Sequence, residues 1–432
     1  MSEIGYYPRY VDKDIDEALA TYGAVAVNGP KYCGKTKTSK MHCSSIYALD
    51  DNTNNYSNYR LAILDPSVCL EGAEPRLIDE WQLVPQIWDG VRRSVDDDNR
   101  PGRFILCGSS TPEDDEKKRD ASKRPPLHSG FGRIATVNMR TMSLWESHDS
   151  DGRIALSNLF DGTMKNTMTD ARNLGRIIDL MMQGGWPGNL GLSSERRVAA
   201  VSRYPEDICE NDLPRVDPSK SPSRMKRILK SLARNESTLA SMRTLARDMK
   251  ENDDDIIKDS TVSDYVDTLR RMHLIEDVPA FSPGLRSSVR VGKNPKRHLT
   301  DPALAVAAMG CTKKMLEDDT STLGFLFEAL CHRDLQIYAK ANGGRLYHYR
   351  DSSNREVDAI IELPDGRWGA FEVKLGASQT DDAAENLVRF NEMISDYGSS
   401  NPSVLCVISG MENAAYRRED GVFVVPITSL RA

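Results

Sequence analysis

The stretch from Gly29 to Thr36 has the residue types and spacing of a phosphate-binding loop. It fits the pattern G-x-x-x-x-G-K-[ST] and directly follows the apolar run 23–29, which predicts a strand. Glycines at both ends let the backbone N–H groups turn toward phosphate oxygens, while Lys35 reaches the β- and γ-phosphates and the Thr36 hydroxyl ligates Mg²⁺. The alternative is a surface turn that contains glycine and lysine. The expected nucleotide contacts are Gly29, Pro30, Lys31, Tyr32, Cys33, Gly34, Lys35, Thr36, Lys37 and Ser109.

Two acidic residues, Asp79 and Glu80, end a later apolar run and could complete this site. A nucleotide site needs an acidic Mg²⁺ partner at the end of a neighbouring strand. We therefore expect Asp79 to hold the metal and Glu80 to orient the attacking water, with the strand predicted over 45–50 separating the two motif-bearing strands. The alternative is that these carboxylates only cap the next helix.

Two further residues are candidates for sensing or stabilising the γ-phosphate. Ser109, with Ser110 as its alternative, stands at the tip of the run FILCGSS, and Arg133 precedes the run RIATVNM. A second positive charge from Arg133 could reach the phosphates either in the same chain or from a neighbouring subunit. A surface salt bridge explains Arg133 equally well.

A second constellation lies near the C-terminal end, where two apolar runs flank Pro364-Asp365-Gly366. This turn predicts a β-hairpin in which Asp358 lies opposite Glu372, and period-two alternation brings Lys374 to the same face. Asp358 and Glu372 would hold Mg²⁺ while Lys374 orients or deprotonates water, which is the chemistry of a metal-dependent phosphodiesterase. Glu328 is a candidate further acidic ligand. A salt-bridge ladder on a solvent-facing sheet is the alternative.

The middle of the chain is basic although the whole chain is acidic. Residues 220–250 contain nine Lys or Arg and two acids, a net charge of +7, whereas the whole chain carries -7. Three predicted helices (222–235, 237–250 and 260–273) followed by a basic hairpin predict a winged helix-turn-helix that binds DNA. A protein-protein spacer is the alternative. The expected nucleic-acid contacts are Arg286, Arg290, Lys293, Lys296 and Arg297.

Several strings in this order resemble a prokaryotic family of AAA-type ATPases whose core precedes a C-terminal domain of unknown function. They are GPKYCGKT, PRLIDEWQLVPQIWDGVRRSVD, GRIATVNMRTMSLWE and GGWPG. Cys107 departs from that family, which usually has Thr at this place. The C-terminal pattern Asp358, then Glu372-Val-Lys374, resembles the PD-(D/E)xK restriction-endonuclease-like nucleases. The resemblance implies ATP and Mg²⁺ as cofactors and a nuclease-like domain that cuts or formerly cut DNA.

The elements that must position these residues divide the chain into several units. Short apolar runs alternate with helix-compatible stretches over the first third, which predicts a parallel sheet covered by helices. The expected architecture is multidomain α/β. Its parts are an AAA-type P-loop ATPase core (1–155), a helical lid (156–215), a winged helix-turn-helix (216–300) and a restriction-endonuclease-like α/β domain (301–432).

Composition limits the classes of protein to which the chain can belong. Hydrophobic residues make up 39%, charged residues 28%, and the mean hydropathy is -0.51. These values exclude a largely disordered or an integral membrane protein. With no apolar signal core at the N-terminus and eight dispersed cysteines, we expect a cytoplasmic protein with reduced cysteines and no membrane partner.

Two functions fit these expectations. The first is an Mg²⁺-dependent ATPase that acts on DNA, with a C-terminal nuclease-like domain that either cuts DNA or has lost that activity. A homo-oligomer is one assembly in which this ATPase would act. The second is a nucleotide-switched module in which the C-terminal domain only docks a nucleic acid or protein partner.

Overall fold

The structure is a computed structural model. It describes the chain over residues 5–112, 127–170, 172–250, 257–282, 295–351, 353, 355–396 and 400–432. Within these ranges no helix is both long enough and apolar enough to cross a membrane. Six cysteines are buried thiols in the interior, and these are Cys33, Cys69, Cys107, Cys209, Cys331 and Cys406.

The N-terminal region folds around a five-stranded parallel sheet with the order β2-β3-β4-β1-β5. Its elements are α1 (Val11–Thr21), β1 (Ala24–Asn28), α2 (Lys35–Met41), β2 (Ser45–Ala48), α3 (Ser57–Leu64), β3 (Arg76–Asp79), α4 (Ile87–Asp97), β4 (Phe104–Gly108) and β5 (Ile134–Asn138). The strands β3 and β4 are fully buried, as the near-continuous apolar runs of a helix-covered parallel sheet require. The expected α/β class with a parallel sheet is confirmed.

One detail of the predicted sheet is wrong. β2, at 45–48, lies at the outer edge beside β3, and the strand that separates β1 from β3 is β4. The sequence order of the runs suggested that β2 lies between β1 and β3, but crossover connections do not keep sequence neighbours adjacent in a sheet. One strand, β4, nevertheless separates β1 from β3, the two strands that carry the nucleotide-site motifs.

The middle of the chain is mainly helical. Its elements are β6 (Ile154–Ala155), α5 (Leu156–Phe160), β7 (Thr167–Met168), α6 (Leu174–Gln183), α7 (Ser194–Ser202), α8 (Tyr204–Asp207), α9 (Leu213–Val216), α10 (Pro222–Arg234), α11 (Met242–Met249), α12 (Asp259–Arg271), β8 (Ile275–Val278) and β9 (Lys296–Leu299). Ser221 and Ser241 accept backbone N–H bonds at the starts of α10 and α11, which fixes where these helices begin. β8 and β9 pair antiparallel.

The C-terminal region forms a mixed sheet with the order β10-β11-β12-β13-β15-β14-β7. Its elements are α13 (Pro302–Met309), α14 (Lys313–Asp318), α15 (Thr320–Ala341), β10 (Arg345–Arg350), β11 (Glu356–Glu362), β12 (Trp368–Lys374), α16 (Thr380–Asp396), β13 (Val404–Ser409), β14 (Ala414–Arg417), β15 (Phe423–Pro426) and β16 (Leu430–Arg431). β10, β11 and β12 form an antiparallel meander, and β13 then runs parallel to β12. α15 and α16 both pack on this sheet.

The segment 154–168 pairs with C-terminal strands although the sequence places most of it in a helical lid. β7 joins the C-terminal sheet beside β14, and β6 pairs with β16 in a separate two-stranded sheet. The C-terminal end also returns to the N-terminal region, where the Ala432 amide donates to the Tyr10 hydroxyl at 3.1 Å. One hydrophobic core accordingly extends from Leu144 to Leu430 and contains residues of the predicted lid, middle and C-terminal units.

Candidate functional site

The phosphate-binding loop lies between β1 and α2, as the sequence predicts. Gly34 precedes α2 in a left-handed conformation, with φ of 104°, which glycine adopts without steric cost. Gly29 packs so tightly that a Cβ there would lie 2.2 Å from the Met139 carbonyl oxygen. The loop therefore needs a glycine at each end for two different reasons, one of conformation and one of space.

The two chemically active side chains of the loop face inward. The Lys35 ammonium donates to the Pro30 carbonyl at 2.8 Å, and the Lys35 residue is 5% exposed. The Thr36 hydroxyl donates to the Asp79 carboxylate at 3.2 Å, so the end of β3 and the start of α2 meet at this point. A hydroxyl and a buried carboxylate are the hard oxygen ligands that Mg²⁺ takes in nucleotide sites, and the pair fits that ion. Burial raises the pKa of Asp79, while the hydrogen bonds from Cys107 and Thr36 act in the opposite direction.

Glu80 follows Asp79 in a left-handed backbone conformation, with φ of 56°. Its carboxylate accepts a hydrogen bond from the Gln82 amide and another from the Ser109 hydroxyl at 3.5 Å. Burial raises the pKa of Glu80. Glu80 and Ser109 line a cleft of about 750 Å³ that also borders Lys31. The structure thus brings Ser109 and Glu80 together at the site, as the sequence predicts.

Other segments hold the loop through its carbonyl groups. The Arg9 guanidinium donates to the Cys33 carbonyl at 3.0 Å and also pairs with Glu146. The Tyr204 hydroxyl donates to the Lys31 carbonyl at 2.8 Å, and the Lys31 ammonium pairs with Asp212. Sequence reasoning missed Arg9 and Tyr204 because an isolated arginine or tyrosine far along the chain carries no spacing signal.

One expected phosphate contact, Arg133, lies away from the loop, and another, Lys37, has its ammonium group bound to the N-terminal segment. Arg133 immediately precedes β5, at the N-terminal ends of the strands, whereas the loop follows the C-terminal end of β1. The Arg133 carbonyl accepts a hydrogen bond from the Ala24 amide, and its guanidinium pairs with Asp96. A five-residue strand, about 16 Å long, separates it from the phosphate loop, so the same-chain role of Arg133 is corrected. The Lys37 ammonium donates to the Gly5 carbonyl at 2.5 Å and is exposed.

The C-terminal constellation forms with the predicted register. Ala359 pairs with Phe371 and Ile360 with Ala370, which places Asp358 beside the strand that carries Glu372. The Val373 amide donates to the Asp358 carboxylate at 2.8 Å, and the Lys374 ammonium lies 2.6 Å from Glu372 and 3.5 Å from Asp358. The expected convergence of two carboxylates and one lysine is therefore present.

Burial sets the electrostatics of this constellation. Burial and the nearby charge of Asp358 raise the pKa of both Glu328 and Glu372 to about 8. Burial also acts to raise the pKa of Asp358, but Lys374 and Lys296 together hold it below its ordinary value. Glu328 reaches the cluster from α15. No group of three or more His, Cys, Asp or Glu in the described part of the chain is placed to hold a metal ion.

Two of the five expected nucleic-acid contacts lie in the described part of the chain, and both are largely buried in ion pairs. Lys296 is 1% exposed and pairs with Glu328 and Glu356, so its placement on a DNA-facing surface is corrected. The Arg297 guanidinium is mostly covered and pairs with Asp277 at 2.9 Å. Both residues lie in β9, which the structure packs inward. Arg286, Arg290 and Lys293 lie outside the described residues.

Comparison with known proteins gives a partial assignment. Residues 21–148 match the model of an AAA domain, whereas residues 175–315 and 323–430 match two domains of unknown function, DUF8612 and DUF4143. The N-terminal match supports an AAA-type ATPase. The DUF8612 match covers both α6 and the three helices α10–α12, which the sequence assigns to separate units.

Two curated relatives and one solved structure resemble larger parts of the chain. Two uncharacterized proteins, from Mycobacterium bovis and Mycobacterium tuberculosis, are each 25% identical over 360 residues, which is 83% of this chain and 71% of theirs. A solved structure, the Walker-type ATPase of Pyrococcus abyssi, is 12% identical and covers 70% of this chain and 96% of that one. Its TM-score of 0.41 is too low to establish a common overall fold.

Proposed function

We propose that the protein binds and hydrolyses ATP with Mg²⁺ and acts on DNA. The contact that supports the ATPase most directly is the 3.2 Å hydrogen bond from Thr36 to Asp79, because it joins the phosphate loop to the acidic strand end. The AAA domain match over residues 21–148 agrees with it.

Each side chain has a distinct task in this proposal. The N–H groups of the loop and the Lys35 ammonium bind the phosphates, and Thr36 and Asp79 would hold Mg²⁺. That ion, when bound, supplies positive charge to the β- and γ-phosphate oxygens. Glu80 orients the attacking water, and its bonds from Gln82 and Ser109 fix the position of the carboxylate.

ATP turnover with and without duplex DNA tests this function. Lys35→Ala and Glu80→Gln should each lower the turnover number by a factor of about 100 or more. Glu80→Gln should still bind ATP because it leaves the loop intact. Lys13→Ala, on the exposed face of α1, is the control and should keep wild-type turnover. If the wild-type protein binds ATP and never hydrolyses it, the proposed ATPase activity is wrong.

We also propose that the C-terminal region is a restriction-endonuclease-like domain. Its order of one helix, a three-stranded meander, a second helix and a parallel strand agrees with this, as do Asp358 on β11 and Glu372 and Lys374 on β12. Any DNA cleavage that requires Mg²⁺ or Mn²⁺ should disappear in Asp358→Ala and in Lys374→Ala. Cleavage that survives both substitutions would exclude this site as its source.

One observation favours the second candidate, a nucleotide-switched docking module. The Lys296 ammonium pairs with Glu328, one of the expected metal ligands, and with Glu356, and its positive charge opposes the binding of a metal cation at this place. In this alternative ATP binding changes the conformation, and the C-terminal domain only docks a nucleic acid or protein partner. ATP binding without hydrolysis, together with the absence of any DNA cleavage, is the outcome that distinguishes it.

A further inference from the structure

Four exposed cations lie on the helices α10 and α11, and we define them together as the basic surface. They are Lys230, Arg234, Arg243 and Arg247. No carboxylate of the described residues forms an ion pair with Lys230, Arg234 or Arg243. Arg247 approaches Asp248 at 3.7 Å, and 77% of the Arg247 side chain remains exposed. The positive charge of these side chains therefore faces solvent.

One contact between the two helices brings the four cations together. The Ser231 hydroxyl donates to the Asp248 carboxylate at 2.7 Å. Lys230 and Arg247 adjoin these two residues in the sequence, and each of the other two cations lies four residues away, which is about one helical turn. The opposite faces of the helices are buried through Met225, Ile228, Leu229, Leu245 and Met249. The basic surface thus has a packed support.

The spacing of the four cations is unfavourable for the helices themselves. Two cations at positions i and i+4 of a helix repel each other, whereas a cation and a carboxylate at this spacing attract. Attractive pairs on exposed helices elsewhere in the protein are Lys13–Glu17, Lys314–Asp318 and Arg389–Glu385. The basic surface has the repulsive arrangement twice, once on each helix, and a bound polyanion would remove this repulsion.

The composition of the two helices favours nucleic acid as that polyanion. Within α10 and α11, which the structure describes throughout, no large apolar side chain is exposed. Protein interfaces have an apolar centre, and helices that lie on membranes insert apolar side chains. The phosphate backbone of DNA is bound through positive charge alone. Three of the four cations are arginines, whose planar group matches the geometry of phosphate.

The helix that a winged helix-turn-helix places in the major groove is less suited to this partner. That helix is α12, which contains three aspartates and two arginines. Arg270 pairs with Asp277 at 2.6 Å, and Arg271 pairs with Asp217 at 3.3 Å. Carboxylates of the protein therefore already neutralise the arginines of α12, in contrast to the cations of α10 and α11.

We propose that the basic surface binds the phosphate backbone of duplex DNA. Contacts of this kind position a protein on the duplex and do not read the base sequence. This inference rests on the proposed action on DNA and names the surface that makes the contact. It does not require ATP hydrolysis, so the two activities can be tested separately.

The anisotropy of a short fluorescent DNA duplex, titrated with the full chain at several salt concentrations, tests the inference. Combining Arg234→Gln with Arg243→Gln should lower the affinity at least about tenfold and reduce the slope of log affinity against log salt by about 2, since each phosphate contact contributes about 0.9. Replacing the same two residues by lysine keeps the charge and should preserve the slope.

The matched control removes two exposed charges elsewhere on the surface. Lys13→Gln combined with Arg100→Gln should keep the wild-type affinity and slope. Circular dichroism and ATP turnover without DNA should be unchanged in the variant with two glutamines on α10 and α11, because its substitutions are exposed and remote from the phosphate loop.

The possible failures are distinguishable. Wild-type affinity and slope in the variant with two glutamines on α10 and α11 would overturn the proposal while leaving the action on DNA intact. A wild-type protein that hydrolyses ATP and binds no duplex even at low salt would overturn both. Binding to vesicles of anionic phospholipid instead of DNA, lost in the same variant, would assign the surface to a membrane and overturn the proposal. DNA binding that depends on these arginines in a protein without ATP turnover would support the surface and remove only the ATPase.

Discussion

At the scale of single residues, charge placement inside the protein decides stability. Glu236 is 3% exposed, its carboxylate accepts from the Leu299 amide at 3.1 Å, and it contacts His298 at 3.0 Å. Burial raises the pKa of Glu236 to about 8 and lowers the pKa of His298 to about 3. Both groups are therefore uncharged in the folded protein near neutral pH.

The sign of the resulting pH dependence follows from the Glu236 value. Its folded pKa lies above its ordinary value of 4.5, so the folded state holds a proton that the unfolded state releases between these two values. This contribution to the free energy of unfolding is complete below pH 4.5 and declines, by up to about 1.4 kcal/mol per pH unit, as the pH rises toward 8.

Glu236→Gln removes this titration. Relative to the wild type, the variant should gain free energy of unfolding as the pH rises from 5 to 8, measured by denaturant titration at several pH values. Glu385→Gln, in an exposed pair with Arg389, should give a difference that does not change with pH. A pH-independent difference for Glu236→Gln would contradict the assignment.

The residues that sequence reasoning placed correctly belong to contiguous patterns. Gly29 to Thr36 lie in one loop, and Asp358 and Glu372 are related through one short turn, so local geometry fixes their positions. Lys296 and Arg133 failed for the opposite reason. The burial of Lys296 depends on contacts with α15 and β11, which are remote in sequence. Arg133 lies at the N-terminal end of β5, whereas the phosphate loop lies at the C-terminal ends of the strands.

At the scale of elements, the close approach of β1 and the chain after β5 decides whether the phosphate loop can form. The order of the strands in the sheet could not be predicted from their order in the sequence, because parallel strands connect through crossovers. The register of β11 on β12 was predictable because a tight turn sets it.

Gly29→Ala tests the element-scale constraint. The added Cβ would lie 2.2 Å from the Met139 carbonyl oxygen, so the loop or the segment after β5 must move. We expect a loss of about 1–3 kcal/mol in the free energy of unfolding and a weaker affinity for a fluorescent ATP analogue. Gly191→Ala, where a Cβ meets nothing within 4 Å, should preserve both quantities. Unchanged ATP affinity in Gly29→Ala would show that the loop tolerates the displacement.

At the scale of the whole molecule, one buried carboxylate joins segments that are remote in sequence. Asp301 accepts from the Thr141 hydroxyl at 2.8 Å, from the Gly185 amide at 3.0 Å and from the Arg333 guanidinium at 3.0 Å. These partners lie after β5, after α6 and in α15. Asp334, next to Arg333, accepts from the Leu144 amide at 2.9 Å and so adds a second tie between the same regions.

This junction predicts that the N-terminal and C-terminal regions unfold together. Asp301→Ala leaves the buried Arg333 with one carboxylate partner fewer and should cost about 3–5 kcal/mol of unfolding free energy. Arg333→Met should cost a similar amount, and the double variant should cost clearly less than the sum, because the two residues share one interaction. Asp318→Asn, in an exposed pair with Lys314, should change stability by less than about 0.5 kcal/mol. Additive losses, or separate transitions for ATP-site and C-terminal probes in the wild type, would mean that Asp301 does not couple the two regions.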